Sequence, residues 1–253
     1  MRLTILALAL ALGLTSCQQN IEYKPLEPAN AANREKAKAI IQETFDKTGV
    51  ALQESAVIKF KHQGEHYMAL RNCGMFMYRK QNTQGKDAIE DVLDNQGFER
   101  KINKHLEELT SDEVQEAKAE LQQRVNWVQF PFGYQERSFY WIGELKTDEA
   151  NYHKIAIENE GEPQEIWWVN SQDHLIYYVA QANGDTSGRL FKLDPSFTQE
   201  GVHLNQVYAY AVPDAVPLRY AADEFVEASQ EWKQTDSLKL DQASVLLTSS
   251  NCE

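Results

Sequence analysis

The sequence predicts a mainly β chain of the α+β class, with antiparallel strands and a few helices. Two observations carry this. Much of residues 56–212 alternates apolar and polar side chains with a period of two, broken by tight-turn residues. Only two long stretches show the 3.6-residue period of an amphipathic helix. A third observation is negative: strands and helices do not follow each other in the βαβ rhythm that a parallel sheet requires.

The first helix can start at Asn33, a capping residue. Ala37, Ile40, Ile41, Thr44 and Phe45 then recur at helical spacing, and Gly49 closes the run. The period then changes. Ala56, Ile58 and Phe60 alternate with Val57, Lys59 and Lys61, a turn falls at Gly64, and residues 66–71 alternate again. Cys73-Gly74 breaks the pattern before a strand at 75–79, and strands at 90–93 and 98–102 flank Gln96-Gly97.

Thr110 and Glu113 have capping-box spacing for a second helix, whose stripe is Val114, Ala117, Leu121, Val125 and Val128. It ends before Pro131. Strands follow at 139–145, 152–157, 165–169, 175–180, 190–193 and 207–212, then a short helix at 222–228 and a last strand at 244–247. Ile166-Trp167-Trp168-Val169 and Ile176-Tyr177-Tyr178-Val179 are apolar at every position. Successive strand residues face opposite ways, so both sides of this hairpin need cover. Helices can cover one side; the other needs a loop, a partner or a ligand.

The N-terminus reads as a secretory signal over residues 1–16: Arg2, an apolar run over 3–14, then small Thr15 and Ser16 before Cys17. A run of about a dozen residues falls short of the roughly 20 that span a bilayer. Leu14-Thr15-Ser16-Cys17 resembles the lipobox of bacterial lipoproteins. That resemblance implies cleavage before Cys17 and several acyl chains on it, each buried methylene contributing about 0.8 kcal/mol to anchoring. In such lipoproteins an Asp after the cysteine favours the inner membrane. Gln18 stands there, which implies the outer membrane, with the periplasm as the expected side. Residues 17–32, polar with Pro25 and Pro28, read as the lipidated end and its tether, and residues 33–253 as one domain.

The formal net charge is −13. Losing residues 1–16 removes one cation, Arg2, and no acid, leaving a chain near −14. Such a charge repels phosphate backbones, so a nucleic-acid partner is not expected. It also repels anionic headgroups, so the membrane is expected to be reached through the lipid. Hydrophobic residues at 42% allow a packed core. Besides Cys17 the chain holds Cys73 and Cys252, which in an oxidising envelope form either a disulfide or two free thiols.

His62-Gln63-Gly64-Glu65-His66 has the spacing of inverted zinc peptidases, whose ligands share one face of a helix. Here strand alternation flanks it and Gly64 sits at a hairpin turn, so neither a metal site nor hydrolysis is expected. Glu158, Glu160, Glu162 and Glu165, around Gly161 and Pro163, read as a solvated turn. No cofactor or catalytic residue is expected. The aromatics remain. Most are core, but Trp127, Phe139, Trp141, Trp167, Trp168, Tyr177 and Tyr178 are candidates to line a cavity.

Short stretches across residues 57–210 carry a resemblance to a family. They include Glu65-His66-Tyr67, Asn95-Gln96-Gly97-Phe98, Val125-Asn126-Trp127-Val128-Gln129-Phe130, Trp168-Val169-Asn170 and Asn205-Gln206-Val207-Tyr208. By these the chain resembles envelope lipoproteins with a domain of unknown function and a lipoprotein-localisation (LolA/LolB-like) fold. The resemblance implies a curved antiparallel sheet, an incomplete barrel plugged by helices, whose concave face can hold acyl chains. It brings no catalytic residues. The expected function is therefore a non-enzymatic, outer-membrane-anchored protein that binds an apolar or lipid-like ligand. The alternatives are an assembly lipoprotein meeting a protein partner through an aromatic surface and, third, a hydrolase.

Overall fold

The computed structural model describes residues 23–24, 26, 28–83, 85–158, 164–183 and 187–249. The expected signal segment, Cys17 and Cys252 lie outside the described residues.

Helix α1 (Ala31–Thr48) turns Ala37, Ile40, Ile41 and Thr44 inward, as their spacing requires. Its cap is Asn30 rather than Asn33. The Asn30 backbone is extended, and its side-chain oxygen accepts from the Asn33 amide at 2.9 Å, which places Asn33 inside the first turn. Gly49 ends the helix in the left-handed region, φ 70°. A β-carbon there would also collide with the Gly201 carbonyl oxygen, so this position combines strain with close backbone approach.

Strands β1 (Ala56–His62), β2 (Glu65–Asn72), β3 (Met75–Asn82), β4 (Ile89–Asp94), β5 (Gly97–Ile102) and β6 (His105–Leu106) form an antiparallel meander. Helix α2 (Ser111–Val128) interrupts it, with the capping box in place: the Thr110 amide donates to Glu113 at 2.8 Å and the Glu113 amide to Thr110 Oγ1 at 3.4 Å. A second meander follows: β7 (Phe139–Lys146), β8 (Asn151–Ile157), β9 (Glu165–Asn170), β10 (Ile176–Asn183), β11 (Ser187–Gln199) and β12 (Val202–Val212). After helix α3 (Ala221–Ala228), β13 (Gln234–Leu238) adds to β12. The last strand, β14 (Gln242–Leu247), crosses back to pair with β1.

The mainly β, α+β class is therefore as the sequence predicts. Among the described residues it takes the form of two seven-stranded antiparallel sheets, not closed into a barrel, rather than one continuous ladder. Residues 239–241 carry the chain around the corner between them. There the Asp241 backbone amide donates to the Lys61 carbonyl at 2.9 Å.

Two departures from the expected strands have local causes. The expected strands at 190–193 and 207–212 belong to a longer hairpin. Pro195 lacks an amide, and the ladder skips from Asp194–Gln206 to Phe197–Leu204, a bulge that lets β11 continue past it. Glu200-Gly201, both at positive φ (52° and 77°), then make a two-residue turn. β13 reads Gln-Thr-Asp-Ser-Leu, a polar edge strand that no apolar alternation announces.

Two cores result. The larger joins inward residues of both sheets with α1 and α2: Ile58, Phe60 and Leu93 meet Leu121, Val125, Trp167 and Val179. The smaller lies on the opposite face of the second sheet, where Trp168, Tyr178 and Leu190 pack beneath Ala222 and Phe225 of α3. The described part of the expected tether lies against this layer: the Tyr23 hydroxyl donates to Glu224 at 2.7 Å, and the Lys24 amide to the Tyr220 hydroxyl at 2.9 Å. No helix among the described residues is long and apolar enough to cross a membrane.

Candidate functional site

The inner face of the second sheet carries a connected set of rings. Trp167, on β9, meets Phe130 at 4.9 Å, Phe139 at 5.0 Å and Tyr134 at 5.1 Å between centroids. Trp127, the α2 residue that leaves the buried stripe, stacks on Phe191 at 4.1 Å. Phe139 continues to Phe45 of α1 at 6.4 Å. Trp141 lies one strand pair away, under the Lys36 ammonium at 3.6 Å. Period two places Trp141, Ile155, Trp167 and Val179 in one row across four strands.

The same alternation sends Trp168 and Tyr178 to the other face, and the bulged Tyr177 beside them. There Trp168 donates from Nε1 to Asp223 at 3.2 Å, and Lys154 of β8 pairs with the same carboxylate. The Tyr177 hydroxyl donates to Asp173 at 2.9 Å; burial first and that carboxylate second push its pKa up to about 12. The second face of the hairpin is thus covered by α3 and Trp232, chain from residues 217–232. The seven aromatic candidates do not converge on one cavity. Trp127, Phe139, Trp141 and Trp167 share the inner face, while Trp168, Tyr177 and Tyr178 lie on the outer one.

The inner set reaches the surface at openings. A depression of about 340 Å³ between α1 and β7 has Ile41, Phe45 and Phe139 as its apolar wall, with Arg34, Lys38 and Arg137 around it. Arg34 pairs with Glu158 across its mouth. A second depression, about 310 Å³, borders Trp141 with Leu26, Ile142 and Tyr220. A gap of only about 30 Å³ lies beside Trp127 and Phe191.

Polar groups set into this interior escaped the sequence reading. Glu165 is not part of a solvated turn: its carboxylate accepts from Trp167 Nε1 at 2.6 Å, Gln181 at 2.8 Å and the Tyr134 hydroxyl at 3.2 Å. Burial holds its pKa above the usual carboxylate range, against these donors. Arg71 is buried, with no ion pair among the described residues. It donates to Gln129 and to the Tyr78 hydroxyl at 2.6 Å, and lies 3.9 Å from the Phe132 ring centroid; burial lowers its pKa. Gln53 and the Gln129 amide nitrogen are buried with no partner among the described residues. The signal for Arg71 was strand parity, since it shares the inward set with Tyr67 and Ala69.

The histidine motif spans the β1–β2 turn, with Gln63 and Gly64 at positive φ. His62 points inward, Nδ1 3.1 Å from the Lys239 carbonyl oxygen, and His66 points outward and is exposed. The two imidazoles lie on opposite faces, so they are not the cross-turn neighbours a metal would need. Among the described residues no three His, Cys, Asp or Glu side chains are grouped to hold a metal. Cys73, in the β2–β3 turn, is disulfide-bonded.

Fold and site together define a mainly β, α+β protein with an aromatic interior between two sheets and two helices. No family model matches the chain, and no curated protein does. Among solved structures it is similar to a LolA superfamily protein from Nitrosomonas europaea, at 11% identity and a TM-score of 0.42, over 82% of this chain and 92% of that one. It is also similar to a DUF1329 family protein from Desulfovibrio piger, at 11% identity and a TM-score of 0.30, over 68% and 85%.

Proposed function

We propose that this is an envelope lipoprotein, held at the outer membrane by acyl chains on Cys17, which binds an apolar or lipid-like ligand and performs no catalysis. The observation that carries the ligand reading is the 340 Å³ depression between α1 and β7. Its size falls in the range of about 300–1,000 Å³ usual for small-molecule sites. Its apolar wall runs through Phe139 to Trp167, and charged groups of both signs, Lys38 and Arg137 with Glu35 and the Arg34–Glu158 pair, stand around it, where an acyl chain's polar end would lie. Trp127 and Trp141 border separate, smaller depressions. Trp168, Tyr177 and Tyr178 support the layer behind it.

The test uses protein from Cys17 onward with Cys17→Ser; every helix and strand described lies between Ala31 and Leu247, so no packed element is lost. Titration with fatty acids of increasing length, followed by tryptophan fluorescence, should show affinity rising by up to about fourfold per methylene. It should tolerate salt and weaken in Phe139→Asp. Binding without length dependence, together with no lipid extractable from the purified protein, removes the reading. An aromatic docking surface for a protein partner is less favoured: the exposed large apolar side chains described, Tyr23, Leu52, Met75, Leu106, Leu246 and Leu247, include one aromatic.

The anchor has its own test. Cys17→Ala is expected to abolish incorporation of a fatty-acid analogue in cells and to release the protein from membranes; persistent label on the variant overturns the assignment. For the disulfide, we infer that Cys252 is the partner of Cys73. Thr248 donates to the Ser55 carbonyl at 2.9 Å, and Leu247 and Arg71 flank Ala56 on either side. The two strands are therefore roughly 10 Å apart at the end that carries Cys73. Four residues beyond Thr248 span up to about 14 Å, enough to reach it. Intact mass with and without reductant should differ by two hydrogens, and reduction should destabilise by about 2–4 kcal/mol.

A further inference from the structure

The outer face of the first sheet, turned away from both cores, is arranged in rows. Pairing registers align Leu246, Val57, Leu70 and Met77 across β14, β1, β2 and β3. The next row toward the β1–β2 turn holds Ser244, Lys59, Met68 and Arg79, and the one beyond it Gln242, Lys61, His66 and Gln81. An apolar row thus lies beside two polar rows that between them carry Lys59, Arg79, Lys61 and His66 and no acid, each step being two residues, about 7 Å. The cationic rows line a depression of about 460 Å³.

Its charge runs against the rest of the chain. The protein has 38 acidic residues to 25 Lys and Arg, yet this lining contains Lys59, Lys61, His66 and Arg79 and no carboxylate. The side chains of Lys59, Lys61 and His66 have no partner among the described residues. Arg79 pairs through one terminal nitrogen with Glu90, just outside the lining, and its Nε has no acceptor among the described residues. At the apolar end, Leu246 is 66% exposed, and Met75, the first residue of β3, 61%. Protruding aliphatic side chains next to the unpaired ammoniums of Lys59 and Lys61 fit a layered partner, hydrocarbon below and anions above.

We propose that this face docks on an anionic lipid bilayer. A lipid phosphate lodges among Lys59, Lys61, His66 and Arg79, while Leu246, Leu70, Met77 and Met75 enter the boundary between headgroups and acyl chains. An interfacial element sinks its apolar side about 5–10 Å. A row spacing of about 7 Å therefore puts Lys59 and Arg79 at phosphate level when the apolar row is immersed. The negative charge of the whole chain opposes approach, so the local cations govern binding and screening by salt weakens it.

The same Cys17→Ser protein is sedimented with phosphatidylcholine vesicles, with and without phosphatidylglycerol. Binding is expected only with the anionic lipid, and is expected to fall as salt rises. Lys59→Glu/Lys61→Glu should lower it by about 25-fold or more, since each cation contributes about fivefold. Leu246→Ser should weaken it while leaving the salt dependence. Ser244→Glu adds a charge at the rim without removing a contact, and should also weaken binding if the lysine pair proves unstable. Equal binding to neutral vesicles, or indifference to the charge reversals in folded protein, overturns the proposal. So does saturation by inorganic phosphate with no vesicle binding, which would make this a site for the free anion. The depression lies on a different sheet from the acyl site, so fatty-acid titration of the lysine variants separates failure of one from failure of the other.

Discussion

Asp223→Ala is expected to destabilise the protein by about 3–5 kcal/mol and to loosen α3 from the second sheet. Asp223 and Lys154 are almost wholly removed from water, at 10% and 8% side-chain exposure. Burial raises the pKa of Asp223, and the Lys154 ammonium is what opposes that rise. Its carboxylate also takes the Trp168 indole N–H at 3.2 Å. Removing it strands an ammonium whose only other acceptor among the described residues is the Arg219 carbonyl, 3.4 Å away. It also leaves an indole N–H beneath a helix without an acceptor. The double change Asp223→Leu/Lys154→Met should recover most of the loss, because an apolar pair of similar volume avoids desolvating two charges. Urea unfolding of the three proteins decides it. A midpoint for Asp223→Ala close to that of the parent would mean that water already reaches the pair and that α3 is held by Ala222 and Phe225 alone.

That latch marks where sequence reading stopped. The apolar stretches of β9 and β10 announced two buried faces, because period two leaves no polar side. What covered the second face could not be read: α3 is eight residues long, and its partner Lys154 is the one Lys or Arg in a strand that also carries Asn151 and His153. A single charge at an inward position looks the same in sequence whether it is paired or wet. The helices were legible because propensity, capping and stripe agreed, as at Thr110, Glu113, Leu121 and Val125. β13 and the far half of β11 were not, since an edge strand and a bulge across Pro195 are fixed by neighbours that sit far away in the chain.

The candidate site was legible as residue type and not as place. Trp167 and Trp168 are adjacent and chemically identical, and parity alone sends one to Glu165 and Phe130 and the other to Asp223 and α3. Glu165 belongs by sequence to an acidic turn. It is drawn inside because β9 begins there and three donors from separate elements, Trp167, Gln181 and Tyr134, converge on it. The basic rows on the first sheet stayed hidden because Lys59, Lys61, His66 and Arg79 come from three strands, and only the register brings them together.

Trp167→Ala should likewise destabilise by about 3–5 kcal/mol, the range for truncating a buried large aromatic side chain. Trp167 has no exposed surface, and its ring touches Phe130, Tyr134 and Phe139. These rings come from the end of α2, the loop after it and β7, so they cannot all follow a shrinking side chain inward. A cavity should remain. Glu165 would lose its shortest hydrogen bond, the one at 2.6 Å, while staying buried, and this adds to the loss. Trp167→Phe separates the two contributions, since it keeps most of the ring volume and removes only the donor; it should lose about 1–2 kcal/mol. The cavity is walled by rings except where Glu165 borders it, and accepts a small aromatic molecule. Indole or benzene should therefore raise the melting temperature of Trp167→Ala and leave that of the parent unchanged. A rise in the parent as well would mean that the space around Trp167 is already open to ligands. A loss below 1 kcal/mol in Trp167→Ala would mean that the neighbouring rings close over the gap, and that this cluster yields easily enough to admit a chain.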